Sequence, residues 1–331
     1  MLKIVQVGLG PLGQKIVGYL LERGGLELVA AIDIDPQKTG RDVGELIGGA
    51  PIGVKVARDL ASGLGQQRAD VAILATVSGL DKILPQITSL AQAGLNIVST
   101  CEELSCPWRT NPGLAADIDR ICRDNNVACV GTGVNPGFLM DYLPSVLSAV
   151  CQDVTRISVE RIQDASSRRI PFQEKIGAGL TLDQFAEKVS GGSLRHVGLV
   201  ESVQLIAGCF NWELDQVTET LEPVMAETEI TTGFRPIEAG QACGVEQIGS
   251  GWLNGKEVIR LRFRAAVGEP DPVDSIEISG NPGFKSSIPG GVQGDVATCA
   301  ITVNALRAIG NAGPGLKTML DIPVPGYFKS L

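Results

Sequence analysis

The feature that most constrains this chain is a glycine-rich turn placed directly after its first strand. Residues 3–7 read as a short strand, and an apolar pattern of helical period follows at 16–21. Between them lies Gly8-Leu9-Gly10-Pro11-Leu12-Gly13. A Gly-x-Gly-x-x-Gly turn between a strand and a helix is typical of a dinucleotide-binding βαβ unit, whose helix N-terminus presents N–H groups to the pyrophosphate. We therefore predict that a dinucleotide binds at Gly8, Gly10, Pro11, Leu12 and Gly13. The alternative is an ordinary glycine-rich turn.

Each glycine of the turn has a distinct expected role, and the next strand extends the pattern. Gly8 permits the tight turn, Gly10 lets the backbone approach the pyrophosphate, and Gly13 lets helix and strand pack closely. A second strand at residues 26–32 ends at Asp33, twenty residues after Gly13, where a carboxylate can bind ribose hydroxyls. The unit is therefore predicted to bind a nicotinamide dinucleotide.

The sequence does not decide whether that cofactor is NAD or NADP. Asp33 favours the free ribose of NAD. Lys38 and Arg41 follow it and could neutralise the 2′-phosphate of NADP. We therefore predict NAD or NADP as the cofactor, with these three residues among its ligands.

Net charge and hydropathy argue against several classes of partner. The 331 residues carry a formal net charge of −9, which disfavours binding to nucleic acid or to an anionic membrane surface. No apolar run approaches the roughly 20 residues that a membrane-spanning helix needs, and no leader pattern precedes the first strand. We expect a cytoplasmic protein that acts on small molecules, with no membrane or nucleic-acid partner.

The eight cysteines form no recognisable motif. They include no Cys-x-x-Cys pair, and the chain has a single histidine, His196. This pattern favours buried apolar side chains in a reducing compartment over a disulfide framework or a zinc site. No metal is predicted, and Cys101 is interpreted as a packing residue.

The first 130 or so residues alternate between strand and helix patterns, which predicts a doubly wound parallel sheet. Residues 70–76 form a nearly continuous apolar run, as expected of a strand buried on both faces. We expect a Rossmann NAD(P)-binding domain over residues 1–137. Its other predicted strands are 51–56, 95–100 and 127–130, and its later helices are 81–93 and 114–125.

The pattern changes near residue 150 to alternating strands interrupted by helices, so the fold class is α/β with a different second domain. We expect an α+β domain with an open, mainly antiparallel sheet over residues 138–331, used for substrate binding and oligomerisation. A final helix at about 294–310 is expected to pack back on the first domain. The predicted strands are 154–163, 213–222, 244–250, 258–267 and 274–279, and the predicted helices are about 181–190 and 197–209.

Polar residues follow several of the parallel strands, at the edge where ligands of such sheets collect. Thr76 and Thr100 end two strands and are predicted to contact the cofactor. Glu102 comes next, where a carboxylate could act as a general base or bind an ammonium group. The alternative is an acidic first helical turn, which the helix dipole favours. Glu103 is expected to be the solvated or capping partner, since both carboxylates cannot point the same way.

Two residues after the last parallel strand are further candidates. Asn135 is predicted to orient the carboxamide of the nicotinamide; the alternative is a turn residue before proline. Phe138 is a candidate wall of a substrate pocket that would suit an alkyl amine.

A polar stretch ends the first strand of the second domain. Arg161, Arg168 and Arg169 lie in it and are substrate-binding candidates, the last two as a clamp for a carboxylate through bidentate hydrogen bonds. The alternative is solvated surface charge or an interdomain salt bridge. His196 near a helix start is either structural or a substrate ligand.

At these residues the chain resembles the family of 2,4-diaminopentanoate dehydrogenases and native amine dehydrogenases. Together with the glycine turn, the matching stretches span nearly the whole chain. The family shares its two-domain plan with dihydrodipicolinate reductases, but their His-His-x-x-Lys motif is missing here, which argues against that reaction. The matching stretches are Ser99-Thr-Cys-Glu-Glu-Leu104, Gly131-Thr-Gly-Val-Asn-Pro-Gly-Phe138, Asp164-Ala-Ser-Ser-Arg-Arg169, His196-Val-Gly-Leu199 with Glu201-Ser202, and Pro289-Gly-Gly-Val-Gln-Gly-Asp295.

The resemblance implies reversible oxidative deamination of an amine to a ketone and ammonia, with NAD(P) as oxidant. The amine would be either a 2,4-diaminopentanoate-like amino acid or a short alkyl amine. The glutamate that handles the amine and water in the family corresponds to Glu102. Two alternatives stay open: an NAD(P)H-dependent imine or carbonyl reductase, and a non-catalytic dinucleotide-binding protein. An antiparallel sheet often forms a subunit interface, so a homo-oligomer is expected, with a dimer first.

Overall fold

The computed structural model describes residues 1–166, 168, 170–192, 194–232 and 236–330. The chain divides into two compact units. The first comprises Met1–Phe138 and Gln293–Leu331, and the second comprises Leu139–Val292. The helix expected at about 294–310 therefore belongs to the first unit.

Within the described residues, seven strands form the sheet of the first unit, and every neighbouring pair is parallel. The strands are β1 (Leu2–Val7), β2 (Leu26–Ile32), β3 (Val56–Ala57), β4 (Val71–Leu74), β5 (Asn96–Ser99), β6 (Ala128–Gly131) and β13 (Gly315–Lys317). Their order across the sheet is β13-β6-β5-β4-β1-β2-β3. The carboxyl ends of β1, β4, β5 and β6 therefore meet at one edge, as the sequence predicts.

Helices connect these strands. They are α1 (Pro11–Leu21), α2 (Val43–Leu46), α3 (Leu60–Leu64), α4 (Leu80–Gln92), α5 (Pro112–Asp124) and α10 (Gly294–Ile309). A core cluster forms where α4 and α5 cover the sheet, with Ile87 and Ile118 packed over Ala72 and Ile97. Helix α10 packs against α1 and also contacts β5 and β6, so the C-terminal segment completes the first unit.

The second unit is built on a mixed sheet. Its strands are β7 (Asp153–Asp164), β8 (Gln216–Met225), β9 (Ala242–Leu253), β10 (Lys256–Ala266), β11 (Val273–Asn281) and β12 (Phe284–Pro289). The order is β12-β11-β7-β10-β9-β8, and β7–β10 is the parallel pairing. The helices are α6 (Tyr142–Leu147), α7 (Ile170–Lys175), α8 (Leu182–Ser190) and α9 (Leu199–Cys209).

One face of this sheet carries the core of the second unit. Val203 and Ile206 of α9 belong to the same buried cluster as Leu261 and Phe263 of β10. Alternate residues of β10, including Arg262, point to the opposite face and are partly exposed. The sheet is therefore apolar on one side and charged on the other.

A buried ion pair fixes the segment that leads out of the second unit. The Arg161 guanidinium is 1% exposed and donates to both oxygens of Asp274, at 2.7 and 2.8 Å. Asp274 also accepts from the Val292 amide at 2.7 Å, and Arg161 donates to the Val292 carbonyl at 3.1 Å. Gly290 and Gly291 both have positive φ, at 78° and 64°, which explains the paired glycines before Val292.

The predicted fold class, a Rossmann sheet followed by a mainly antiparallel α+β unit, is confirmed. The details differ in several places, and β13, α2, α3 and α7 were not predicted. Strand β3 is confined to Val56–Ala57 rather than 51–56. Strand β12 was not predicted, because this edge strand is largely exposed and shows no apolar alternation.

Candidate active site

The glycine turn is crowded at two of its three glycines. A Cβ on Gly8 would lie 2.3 Å from the Ala75 carbonyl oxygen, and Gly8 has φ +89°. A Cβ on Gly13 would lie 2.0 Å from the Gly8 carbonyl oxygen. Apart from Gly10 and its two chain neighbours, no described residue has a heavy atom within 4 Å of a Cβ placed on Gly10. The fold itself thus requires Gly8 and Gly13, whereas Gly10 leaves open space beside the turn.

The start of α1 has the features of an anion-binding helix terminus. Gly10 is the N-cap residue and offers no side chain, and Pro11 occupies the first turn. Leu12 lies in the same turn, and the Leu12 carbonyl accepts a hydrogen bond from the Cys299 thiol at 4.0 Å. First-turn N–H groups and the positive end of the helix dipole suit a pyrophosphate. The residues present therefore fit a dinucleotide.

Asp33 lies against the glycine turn. It accepts from the Leu9 amide at 2.7 Å, from the Asp35 amide at 2.9 Å and from Lys38 Nζ at 3.0 Å. Partial burial would raise the pKa of Asp33, but these hydrogen bonds and the Lys38 charge outweigh it and hold the pKa below its ordinary value. The carboxylate is thus kept ionised beside the turn. Arg41 is exposed, and its amide donates to the Lys38 carbonyl at 3.1 Å.

The predicted residues at the other strand ends lie at the same edge of the sheet. Thr76, after β4, is exposed and its hydroxyl donates to Gln86 Oε1 at 2.9 Å. Thr100, after β5, is half-buried, and its amide donates to the Leu74 carbonyl at 3.1 Å. Asn135, after β6, is 8% exposed. The parallel order of β4, β5 and β6 brings these residues to one edge.

Glu102 and Glu103 have different environments. They share a short 3₁₀ helix, Glu102–Leu104, directly after β5. Glu103 Oε2 accepts from the Leu80 amide at 2.9 Å and so caps α4. The Glu102 carboxylate is half-buried and makes no hydrogen bond or ion pair with any residue that the structure describes. The capping expected of Glu103 is therefore found, and Glu102 differs from Glu103 in having no such partner among the described residues.

The loop after β6 is held by α10. The Val134 amide donates to Thr298 Oγ1 at 3.3 Å. Gly137 has φ +116°, and a Cβ there would lie 2.5 Å from the Gly133 nitrogen. This close approach and the positive φ explain the glycine at position 137, and the loop leads to Phe138, which is half-buried.

The candidates in the second unit differ in how they are held. Arg161 is committed to its ion pair with Asp274. The Arg168 guanidinium lies 3.9 Å from the centre of the Phe172 ring, and its Nη1 donates to Gln163 Oε1 at 3.4 Å. Arg169 lies outside the described residues. The prediction that these arginines bind substrate stays a prediction.

His196 is fixed by a residue that the sequence does not reveal. Gln247 is fully buried; its Oε1 accepts from the His196 amide at 2.8 Å, and its Nε2 donates to the His196 carbonyl at 2.9 Å. The imidazole stacks on Phe263, with ring centres 4.5 Å apart. The sequence offered one indication of this interaction, a polar glutamine at a buried position of β9.

The part of the chain that the structure describes lacks two features that mark other classes of protein. It contains no helix long and apolar enough to cross a bilayer. It also contains no group of three or more histidine, cysteine or carboxylate side chains placed to hold a metal ion.

Comparison with known proteins gives the chain its family. A family model described as 2,4-diaminopentanoate dehydrogenase C-terminal domain matches residues 138–330. The chain is 30% identical to a 2,4-diaminopentanoate dehydrogenase of Acetoanaerobium sticklandii, over 99% of this chain and 96% of that protein. This chain belongs to the 2,4-diaminopentanoate dehydrogenase family. The predicted family and the predicted enzyme class, a dehydrogenase, are confirmed.

Other relatives agree with this family. An amine dehydrogenase of Streptomyces virginiae is 25% identical, over 98% of this chain and 97% of that protein. The solved structure of an amine dehydrogenase from Mycobacterium smegmatis has a TM-score of 0.87 at 24% identity, covering 100% of this chain and 98% of that one, and it shows the shared fold. A model described as dihydrodipicolinate reductase, N-terminus, matches residues 2–101 and ends just before Glu102. The nucleotide-binding half is therefore the part shared with the reductases.

The different surroundings of Gly10 and Gly13 give a testable pair of variants. Gly10→Ala should leave the thermal midpoint unchanged, because the fold has room for its methyl group. It should weaken NAD(P)H binding by about 10- to 150-fold, the equivalent of one hydrogen bond to a charged group. Gly13→Ala should lower the free energy of unfolding by about 1–3 kcal/mol through overpacking. Fluorescence titration and thermal unfolding of both variants measure this, and equal destabilisation by both would contradict it.

Proposed function

We propose that this chain catalyses the reversible, NAD(P)-dependent oxidative deamination of an amine to a ketone and ammonia, with Glu102 as the catalytic residue. One observation carries the proposal. Glu102 is a half-buried residue at the ligand-binding edge of a parallel sheet, and its carboxylate has no partner among the described residues, whereas the carboxylate of the adjacent Glu103 caps α4.

The chemistry asked of Glu102 suits a carboxylate. It holds the substrate ammonium and removes a proton, so that the nitrogen lone pair can form the C=N bond of an iminium. Once that proton has passed to solvent, the carboxylate takes a proton from water as the water oxygen attacks the iminium carbon. It returns this proton to the amino nitrogen, and the hydroxyl proton passes to solvent as ammonia leaves to give the ketone. NAD(P), when bound, supplies the redox chemistry by accepting a hydride from the C–N carbon.

The residues that would hold the cofactor are those of the turn and the neighbouring strand ends. Gly8, Gly10, Pro11, Leu12 and Gly13 form the pyrophosphate site, and Thr76, Thr100 and Asn135 would contact the nicotinamide half. We propose that both NAD and NADP are accepted. Asp33 suits ribose hydroxyls, whereas Lys38, 3.0 Å from it, and the exposed Arg41 suit a 2′-phosphate. Steady-state kcat/KM with each cofactor measures the preference.

For the substrate we propose an amino acid of the 2,4-diaminopentanoate type over a simple alkyl amine. A carboxylate-bearing substrate needs a cationic clamp, and Arg168 is a suitable group because its stacking on Phe172 fixes the guanidinium plane. Phe138 and His196 are proposed to contact the substrate as well, and Arg169 beside Arg168 completes the predicted set. Arg161 is proposed to contribute through the segment it holds at Val292.

Glu102→Gln tests the function directly. The amide keeps the size of the side chain but cannot act as a base, so kcat for deamination should fall by about 10²- to 10⁴-fold. Binding of NAD(P)H should be unchanged, because the glycine turn is untouched. Asp117→Asn, an exposed change on α5, serves as the matched control and should keep wild-type turnover.

Normal turnover by Glu102→Gln would contradict the proposed catalytic role of Glu102 in deamination. The reverse reaction separates it from an imine or carbonyl reductase. Oxidation of NAD(P)H with a ketone should require ammonia if the chain forms an amine, and a rate independent of ammonia would favour the reductase. Tight NAD(P)H binding without turnover of any amine or ketone would favour a non-catalytic protein.

Arg168→Ala tests the proposed substrate class. Loss of a charge-assisted clamp should raise KM for 2,4-diaminopentanoate by about 10- to 150-fold, and KM for an unfunctionalised short amine should hardly change. Arg120→Ala, at an exposed arginine on α5, is the control. Equal effects of Arg168→Ala on both substrates would argue against a carboxylate clamp.

We further propose that the chain works as a homodimer in the cytoplasm. None of its cysteines forms a disulfide within the described structure, which suits a reducing compartment. The charged face of the second sheet carries side chains of both signs. The Arg262 guanidinium, for example, lies 2.6 Å from the Glu246 carboxylate and 3.1 Å from the Glu160 carboxylate. A face with mixed charges can complement itself about a two-fold axis.

The dimer is tested by sedimentation equilibrium. The wild-type protein should have about twice the chain mass of 34.7 kDa. The double variant Arg262→Glu, Arg264→Glu should sediment at the chain mass, because like charges would face each other across the interface. A wild-type species at the chain mass would refute the dimer.

A further inference from the structure

Two neighbouring loops at the ligand-binding edge are joined by hydrogen bonds that the proposed reaction does not use. One loop, residues 75–79, follows β4; the other, residues 100–104, follows β5 and contains Glu102. The Glu103 amide donates to the Ser78 carbonyl at 3.3 Å, and the Cys101 thiol donates to the same carbonyl at 3.0 Å. The Leu80 amide donates to Glu103 Oε2 at 2.9 Å. These three bonds span the two strand ends.

Glu103 supplies a cap that α4 lacks from its own sequence. The N-cap residue of α4 is Gly79, which has no side chain to accept from a first-turn amide. The Glu103 carboxylate takes that place from another loop, where the positive end of the helix dipole also favours it. The direction of the Glu103 side chain is therefore fixed by a 13-residue helix.

Cys101 anchors the other side of Glu102. Its side chain is 1% exposed, and burial raises the pKa of the thiol to about 12, so the S–H donor persists at physiological pH. The Cys101 amide donates to Ser99 Oγ at 3.1 Å, and that hydroxyl donates to the Leu74 carbonyl at 3.0 Å. Glu102 thus sits between two anchored residues.

The helical geometry of this segment determines the direction of the Glu102 side chain once its neighbours are fixed. In a 3₁₀ helix, with three residues per turn, successive side chains point about 120° apart. Because Glu103 points to the start of α4, Glu102 cannot point there. The catalytic carboxylate is therefore turned away from α4 by its neighbour.

We propose that Glu103 is a positioning residue that aims Glu102 by tying its loop to the start of α4, with Cys101 as the second tie. The proposal rests on the proposed function of Glu102. It makes Glu103 necessary for turnover through its acceptor oxygen. A purely structural cap would instead affect stability and leave kcat unchanged.

The test compares Glu103→Ala with Glu103→Gln in the full-length protein. Glu103→Ala removes the acceptor and should lower kcat by about 10- to 100-fold through misplacement of Glu102, with a smaller change in KM and no change in NAD(P)H binding. Glu103→Gln keeps an oxygen for the Leu80 amide and should restore most of the lost kcat. Cys101→Ala should lower kcat and Cys101→Ser, which keeps a donor, should restore it.

Asp59→Ala is the matched control. Asp59 caps α3 in the same unit by accepting from the Ser62 amide at 2.8 Å, so its loss should lower the thermal midpoint without lowering kcat. All variants are assayed below their thermal midpoints. The cysteine pair carries the test if Glu103→Ala fails to fold.

The inference is overturned if Glu103→Ala folds and keeps wild-type kcat, or if Glu103→Gln is as impaired as Glu103→Ala. Failure of the proposed function has a different signature. In that case Glu102→Gln itself keeps normal turnover, whatever the Glu103 variants do. If Glu102→Gln is inactive and Glu103→Ala is fully active, the positioning role of Glu103 is rejected and the proposed function of Glu102 is kept.

Discussion

The approach of α1 to the end of β1 is the contact on which the first unit depends. A Cβ on Gly13 would lie 2.0 Å from the Gly8 carbonyl oxygen, so helix and strand meet backbone to backbone. Gln6, buried in β1, donates from Nε2 to the same carbonyl at 2.8 Å. The turn is therefore shaped by the packing of the protein itself. With β1 flanked by β2 and β4, that packing also sets where the remaining strand ends come together.

Much of this arrangement could be predicted because its causes are local in sequence. The glycine spacing defines the turn, and the apolar run of β4 indicates a strand buried on both faces. In a parallel sheet each strand must end at the same edge, so the residues after each strand were candidates without any knowledge of contacts. The division of labour between Glu102 and Glu103 also follows from adjacency, because neighbouring side chains cannot share one direction.

The remaining features depend on pairings between residues far apart in the chain. Arg161 and Asp274 are separated by 113 positions, and Gln247 and His196 by 51. No periodicity links such residues, so the sequence could not show that the Arg161 guanidinium pairs with the buried Asp274 carboxylate. Strand β12 escaped prediction for another reason. An edge strand needs hydrogen bonds on one side and little burial, so its sequence carries no apolar signal.

The division of the chain between the two units has a consequence for synthesis. Strand β13 and α10 belong to the first unit but follow the whole of the second along the chain. During translation, the strands of the second unit have all emerged before β13 can pair with β6. The nucleotide-binding unit is therefore the last to close, although it is the first to be made. Sequence-distant pairing of this kind slows folding, so a nascent chain exposes the edge of β6 until β13 has been made.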